Sequence, residues 1–192
     1  MQKTHQRLQE FCRARNYNWE HQWQFNGQPS LSLRELHQAS EEYLPSNETA
    51  ILTHSDLCFS NILYDFCKDR INVIDPRGVT ASDTKSIYGH IEYDLTKICH
   101  SAMGLYDWVI AGYYQVSIDD YQVQFSLADA THSVSAQQVF TDALTEQYSL
   151  SRASLYAMQI QLLLSMLPLH SDDPLGQDAL MANAFRLYYL ML

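Results

Sequence analysis

His54-Ser55-Asp56-Leu57-Cys58-Phe59-Ser60-Asn61, followed by an apolar run that closes on Ile74-Asp75-Pro76, is the stretch from which the rest of the chain can be read. Its spacing is H-x-D-x-x-x-x-N, then a hairpin, then V-I-D. That layout suits phosphoryl transfer. A carboxylate near an acceptor hydroxyl can take its proton, while an amide oxygen five residues on and a second carboxylate across a hairpin can hold Mg²⁺ on phosphates. Such chemistry asks a protein mostly for positioning and charge neutralisation, so a few oxygen ligands on rigid strand ends suffice. The flanks fit. Ala50-Ile51-Leu52-Thr53 reads as a short strand entering the loop and Asn61-Ile62-Leu63-Tyr64 as a strand leaving it. A polar turn from Asp65 to Arg70 leads into Ile71-Asn72-Val73-Ile74, a second apolar run. A surface hairpin whose Asp and Asn only serve turns is the plainer reading of the same residues.

Beyond spacing, the wording of this segment resembles the C-terminal lobe of the aminoglycoside phosphotransferase and choline kinase family, small-molecule relatives of the protein kinases. The resemblance is densest from Ile51 to Asp107 and looser over the helical remainder. It is carried by Asp56-Leu57-Cys58-Phe59-Ser60-Asn61-Ile62-Leu63-Tyr64-Asp65, Ile74-Asp75-Pro76-Arg77-Gly78, Tyr93-Asp94-Leu95 and Gly104-Leu105-Tyr106-Asp107. The wording is closest to a bacterial branch found with capsule and surface-polysaccharide genes. The resemblance implies Asp56 as catalytic base, Asn61 and Asp75 as Mg²⁺ ligands, and His54 as a brace for the loop. It implies that Asp94 is the aspartate accepting hydrogen bonds from the loop backbone. Arg77, just past Asp75, is a candidate for ATP phosphate or acceptor contact, with an ordinary loop arginine paired to a nearby acid as the alternative.

Two positions depart from the family pattern. Ser55 stands where glycine is usual, which is unstrained if φ there is negative and strained if the turn needs positive φ. His90 stands where aspartate is usual, replacing an acidic group near the metal by an imidazole and weakening local attraction for Mg²⁺; a partly exposed loop histidine is the alternative reading. A complete enzyme of this type also has an N-terminal lobe. The six glycines (27, 78, 89, 104, 112 and 176) are scattered and form no G-x-G-x-x-G loop. None of the four lysines (3, 68, 85 and 97) lies on an apolar strand upstream of the catalytic loop. The residues before the loop read as helical, so the expectation is a kinase-like C-lobe whose N-lobe is absent.

Composition narrows the classes. The 192 residues suit one domain able to bury a sizeable core, here 1–192 with its catalytic segment at 51–78. With 22 acidic and 12 basic side chains, the net charge of −10 argues against a phosphate-backbone partner, since nucleic-acid binding needs clustered Lys and Arg. The most apolar run, Ala153 to Leu169, contains Gln159 and Gln161 and ends near Pro168, so a buried helix is expected, not a membrane span. Cys12, Cys58, Cys67 and Cys99 have no C-x-x-C spacing and read as reduced thiols of a cytoplasmic protein.

Along the chain, Lys3 to Ala14 reads as a helix and Trp19, Trp23 and Phe25 as an irregular aromatic stretch. Ser32-Leu33-Arg34-Glu35 has capping-box form and opens a helix running to about Tyr43. Asp94 to Met103 carries Leu95, Ile98, Cys99 and Ala102 at helical spacing, with Gly104 as C-cap. Tyr114 to Ile118 and Tyr121 to Phe125 alternate about Asp119-Asp120 as a second hairpin. Helices follow over about 135–148, 151–166 and 174–192. The expected fold class is therefore α+β, mainly helical, with a small catalytic β-hairpin.

The function expected is transfer of the ATP γ-phosphate, with Mg²⁺, to a hydroxyl of a small molecule: a sugar, polysaccharide precursor, amino alcohol or aminoglycoside. The alternative is an inactive remnant or binding module lacking the ATP-covering lobe. Either way, a second subunit or another copy of the chain is expected over the apolar face above the loop.

Overall fold

The computed structural model describes residues 2–45, 50–78, 84–128, 134–148 and 150–192. Among the described residues, seven α-helices and eight short strands form an α+β arrangement dominated by helix. The centre is a pair of helices, α6 (Arg152–Met166) and α7 (Pro174–Met191). Apolar side chains are spread round every face of both, with few charges, and burial follows: Leu155 through Gln161 are all buried in α6, and Gly176, Gln177 and Ala179 through Phe185 in α7. A helix without a polar face is stable only when surrounded. The surrounding is supplied by α1 (Gln2–Ala14) and α2 (Leu33–Glu41), amphipathic helices that lay Leu8, Phe11, Leu33 and Leu36 onto α6 and its neighbours. Ser32 caps α2 through a reciprocal bond with Glu35, the capping box read from the sequence.

The aromatic stretch at Trp19–Phe25 is not irregular throughout. Gln22–Phe25 forms β1, which pairs antiparallel with β2 (Leu31–Ser32) and parallel with β8 (Gln122–Leu127). With β7 (Tyr114–Asp119) the sheet order is β2-β1-β8-β7. Trp23, Phe25, Val123 and Phe125 are buried, and Phe25 stacks on Phe185 of α7 at 6.1 Å. The hairpin turn lies one residue later than read: Asp120 and Tyr121 both take positive φ (40° and 63°), as a type I′ turn demands. The segments preceding the loop at residues 53–61 thus join the core at α6, α7 and β8.

Two small two-stranded sheets carry the loop. One pairs β3 (Ala50–Leu52) with β6 (Tyr88–His90), the other β4 (Ile62–Asp65) with β5 (Arg70–Val73). The chain leaves β6 directly into α3 (Ile91–Ala102), the helix beneath the loop. Gln159 of α6 donates to Thr96 O at 2.9 Å and ties α3 to the core. The far end of α3 is held by Asn183 and Arg186 of α7. Asn183 donates to Gly104 O at 2.6 Å, and Arg186 to Met103 O at 3.3 Å. Burial lowers the Arg186 guanidinium to about 10, so it remains a cation on the negative end of α3. Gly104 does not supply the left-handed residue expected of a C-cap; Leu105 does, at φ 53°. Glycine is needed at 104 because a Cβ there would sit 2.6 Å from His100 O. After Leu105 comes a short helix, α4 (Tyr106–Ile110), and α5 (Val134–Tyr148) follows the second hairpin.

Among the described residues no helix is long and apolar enough to cross a membrane; the Ala153–Leu169 run is α6 with the 3₁₀ turn Leu167–His170. The four cysteines are free thiols. Burial pushes the thiols of Cys12 and Cys99 up to about 12, so these two behave as small apolar residues.

Candidate active site

Thr53 N–H still bonds Ile87 O at 3.0 Å, but beyond it the chain loses its strand partner and the amides of the following loop need acceptors from elsewhere. One side chain supplies two of them. Asp94 accepts from His54 N–H at 2.8 Å through one oxygen and from Ser55 N–H at 2.6 Å through the other. It sits in the first turn of α3, where the helix dipole favours a carboxylate. Ser55 has φ 64°, the left-handed region that glycine enters freely and serine only at a cost. Its hydroxyl meets Thr53 Oγ1 at 2.9 Å, an offsetting bond. A glycine here would take the same φ without that cost. Ser55→Gly is expected to raise stability by about 0.5–1 kcal/mol, the left-handed strain relieved less the added chain entropy of glycine. Urea unfolding of the two proteins checks it, and an unchanged or lower midpoint would show that the Thr53 bond outweighs the strain.

The rest of the loop is wound on itself. Asp56 O accepts from Cys58 N–H at 2.9 Å and from the Asn61 side-chain Nδ2 at 2.9 Å. The second bond fixes the Asn61 amide: its nitrogen is spent on the loop, so its oxygen is the end left to meet a cation. Asn61 O then accepts from Ile74 N–H at 3.0 Å, which clips the loop to the end of the β4–β5 hairpin. Two further bonds close the same seam. The His54 ring donates through Nε2 to Ile74 O at 2.8 Å, and Arg77 N–H donates to His54 O at 3.0 Å. Asp75 lies inside this seam, exposed, with φ 57°. Asp56, Asn61 and Asp75 are therefore linked by backbone: Asn61 is bonded to the main chain of Asp56 and to the residue preceding Asp75.

Asp56 has a partner that the sequence reading missed. Lys97 Nζ lies 2.9 Å from Asp56 Oδ1, with the lysine side chain 15% exposed and the aspartate 37%. One turn further on, Ser101 Oγ accepts from Phe59 N–H at 3.2 Å. Asp94, Lys97 and Ser101 follow one another at i, i+3 and i+7, a single stripe of α3 laid along the loop. That spacing was visible in the sequence; what was not visible was which stripe of the helix faced the loop. Beneath the stripe His100 is buried, and Tyr106 stacks on it at 4.3 Å. Burial, and then the charge of Lys97, depress the imidazole to about 3, so it stays neutral there. The Tyr106 hydroxyl is held above its ordinary value by burial, and further by Asp107, Cys58 and Asp56.

Arg77 makes no ion pair among the described residues. Its Nη1 donates to Tyr93 OH at 3.3 Å, so a tyrosine and not an acid is its neighbour. His90 is not a loop residue. It ends β6 opposite Ala50 and precedes α3, with an exposed side chain. Among the described residues no three of His, Cys, Asp and Glu gather closely enough to share a metal. The Asn61 amide oxygen and the exposed Asp75 carboxylate are each hard oxygen donors of the type Mg²⁺ takes.

Around the loop, apolar side chains face outward from both small sheets. Leu52, Ile71 and Tyr88 are each more than 60% exposed and Phe66 is 86% exposed. Comparison with protein-family models, with characterised proteins and with solved structures finds no match to this chain.

Proposed function

We propose that this chain is a phosphotransferase lobe of the aminoglycoside phosphotransferase and choline kinase type, which moves the γ-phosphate of ATP to a hydroxyl of a small molecule. The observation that carries the reading is the seam at Asn61. One side chain bonds the main chain of Asp56 with its nitrogen, while its backbone bonds the neighbour of Asp75. A mere turn needs no such three-way tie.

In this reading Asp56 takes the proton of the acceptor hydroxyl, Asn61 and Asp75 hold Mg²⁺, and His54 and Asp94 keep the loop in shape. The metal would neutralise charge on the phosphates as transfer proceeds. Asp56 has one oxygen on Lys97, and no described residue bonds the other, which is free to accept a proton. Arg77 retains donors beyond its bond to Tyr93 and lies two residues past Asp75, where a phosphate oxygen of ATP would be in reach of a cation of this type. A sugar or polysaccharide precursor as acceptor is favoured by the wording of the segment.

A second reading is supported by the outward apolar side chains of β3, β4, β5 and β6. They suit a face covered by another subunit or another copy of the chain, and a chain that binds without catalysing would show them equally. Calorimetric titration with ATP and Mg²⁺ separates the two. The wild type is expected to bind, and Asp75→Ala to bind at least about 10- to 100-fold more weakly, since perturbing even the outer partners of a metal ligand costs that much. Equal and negligible binding by both proteins would leave only the binding module.

A further inference from the structure

We propose that Lys97 is the positioning residue of this site, an ammonium that fixes the catalytic carboxylate and decides which of its oxygens works. The inference rests on the phosphotransferase reading above. Asp56 lies in a loop whose main chain is tied at His54, Ser55, Phe59 and Asn61, yet none of those ties reaches its carboxylate. A side chain with free χ1 and χ2 would sample several orientations between turnovers. Lys97 removes that freedom. Its ammonium holds Oδ1 at 2.9 Å, and the oxygen left over, Oδ2, has no partner among the described residues.

The lysine is itself well placed to impose an orientation. Its side chain is 15% exposed, so its stem is packed and its end is delivered from a helix. That helix is anchored at Thr96 by Gln159 and at its C-terminal end by Asn183 and Arg186. Three turns of α3 thus set three parts of the loop: Asp94 the entry amides, Lys97 the carboxylate, Ser101 the amide of Phe59. Neutral His100 beside it offers no competing charge for Asp56. Because reactive geometry is steep in distance, a carboxylate about 1 Å out of place costs up to about 100-fold in rate. An exposed ion pair would not matter in this way, since surface pairs contribute little. The asymmetry of exposure between Lys97 and Asp56 is what sets this pair apart.

The test uses the full chain, Lys97→Met and Lys97→Arg, with three measurements. The Asp56 carboxyl carbon is followed by ¹³C NMR at one pH, Mg²⁺–ATP affinity by calorimetry, and ADP release from Mg²⁺–ATP with water as acceptor. Lys97→Met is expected to displace the Asp56 resonance and slow ADP release about 10- to 100-fold, with affinity within about two-fold because no metal ligand is touched. Lys97→Arg is expected to restore most of the rate. In an Asp56→Asn background, Lys97→Met should have no further effect. An unmoved Asp56 resonance, or a Lys97→Met protein as fast as wild type, overturns the positioning role while leaving the phosphotransferase reading standing. A wild type that neither binds nor turns over Mg²⁺–ATP overturns that reading, and the positioning role with it.

Discussion

Asp94→Ala is expected to destabilise the protein by about 3 kcal/mol and to abolish any turnover. Two charge-assisted hydrogen bonds disappear together, from His54 N–H and Ser55 N–H. Bonds to a charged group contribute about 1.5–3 kcal/mol each, and an amide left without an acceptor in a part-buried site carries its own cost. The site is not fully dry, so water can take up some of the loss, which keeps the expected total near the value for one to two bonds. For a chain of this size that corresponds to a fall of about 6–12 °C in the unfolding midpoint. The damage is not confined to stability. Ser55 is held at φ 64° against its preference by these contacts, so release lets residues 53–56 relax toward negative φ and carries Asp56 away from Lys97. Asp94→Asn sharpens the test. The amide has one acceptor oxygen, so one loop N–H keeps its partner and the other faces an NH₂ donor. Calorimetric unfolding gives the stability, and amide exchange at residues 54 and 55 gives the local effect. A loss below about 0.5 kcal/mol, the range of an ordinary surface substitution, would mean that the loop holds itself.

How far the sequence could be read depended on the distance between partners. Helices and the β4–β5 and β7–β8 hairpins are local, and their periodicity, turns and caps were legible. Ser32-x-x-Glu35 marked the start of α2 to the residue. Pairings between distant segments were not. Gln22–Phe25 alternates over only four residues, too few to signal a strand, and its partner β8 lies about a hundred residues on. Likewise Tyr88–His90 reads as loop until Ala50–Leu52 is set beside it. Gly104 looked like a left-handed cap because glycine usually is one, but crowding against His100 O was the operative constraint and Leu105 took the strained φ. At the site the same rule holds. The bond from Asn61 to Asp56 spans five residues and belongs to the motif, whereas Asp94 reaches back about forty residues and enters the sequence reading only through the resemblance. Lys97 lies downstream of the loop on a helix, not upstream on a strand. Its spacing from Asp94 and Ser101 marks a helical stripe, but sequence alone does not say that the stripe faces a loop.

A large effect on rate alone is expected at Asp56 itself. On the proposed reading, Asp56→Asn removes the proton acceptor while changing almost nothing in shape, and ADP release from Mg²⁺–ATP should fall by about 10²–10⁴-fold, the usual contribution of a positioned base. Three features keep the variant otherwise native. The loop bonds at this residue, from Cys58 N–H and from Asn61 Nδ2, go to its main-chain carbonyl and are unaffected. Lys97 can still donate to the amide oxygen, so its ammonium is not stranded. Part-exposed charge pairs of this sort contribute modestly, so stability should change by no more than about 1 kcal/mol. Mg²⁺–ATP affinity should be retained, because Asn61 and Asp75 are untouched. The combination of unchanged folding and a collapsed rate separates a base from a residue such as Asp94 that shapes the loop's main chain, since loss of the latter would disturb unfolding as well. A variant that keeps more than half of the wild-type rate would remove Asp56 from the chemistry. In that event the H-x-D-x-x-x-x-N segment would be a tightly bonded turn, with Lys97 pairing a carboxylate that does no more than hold it closed.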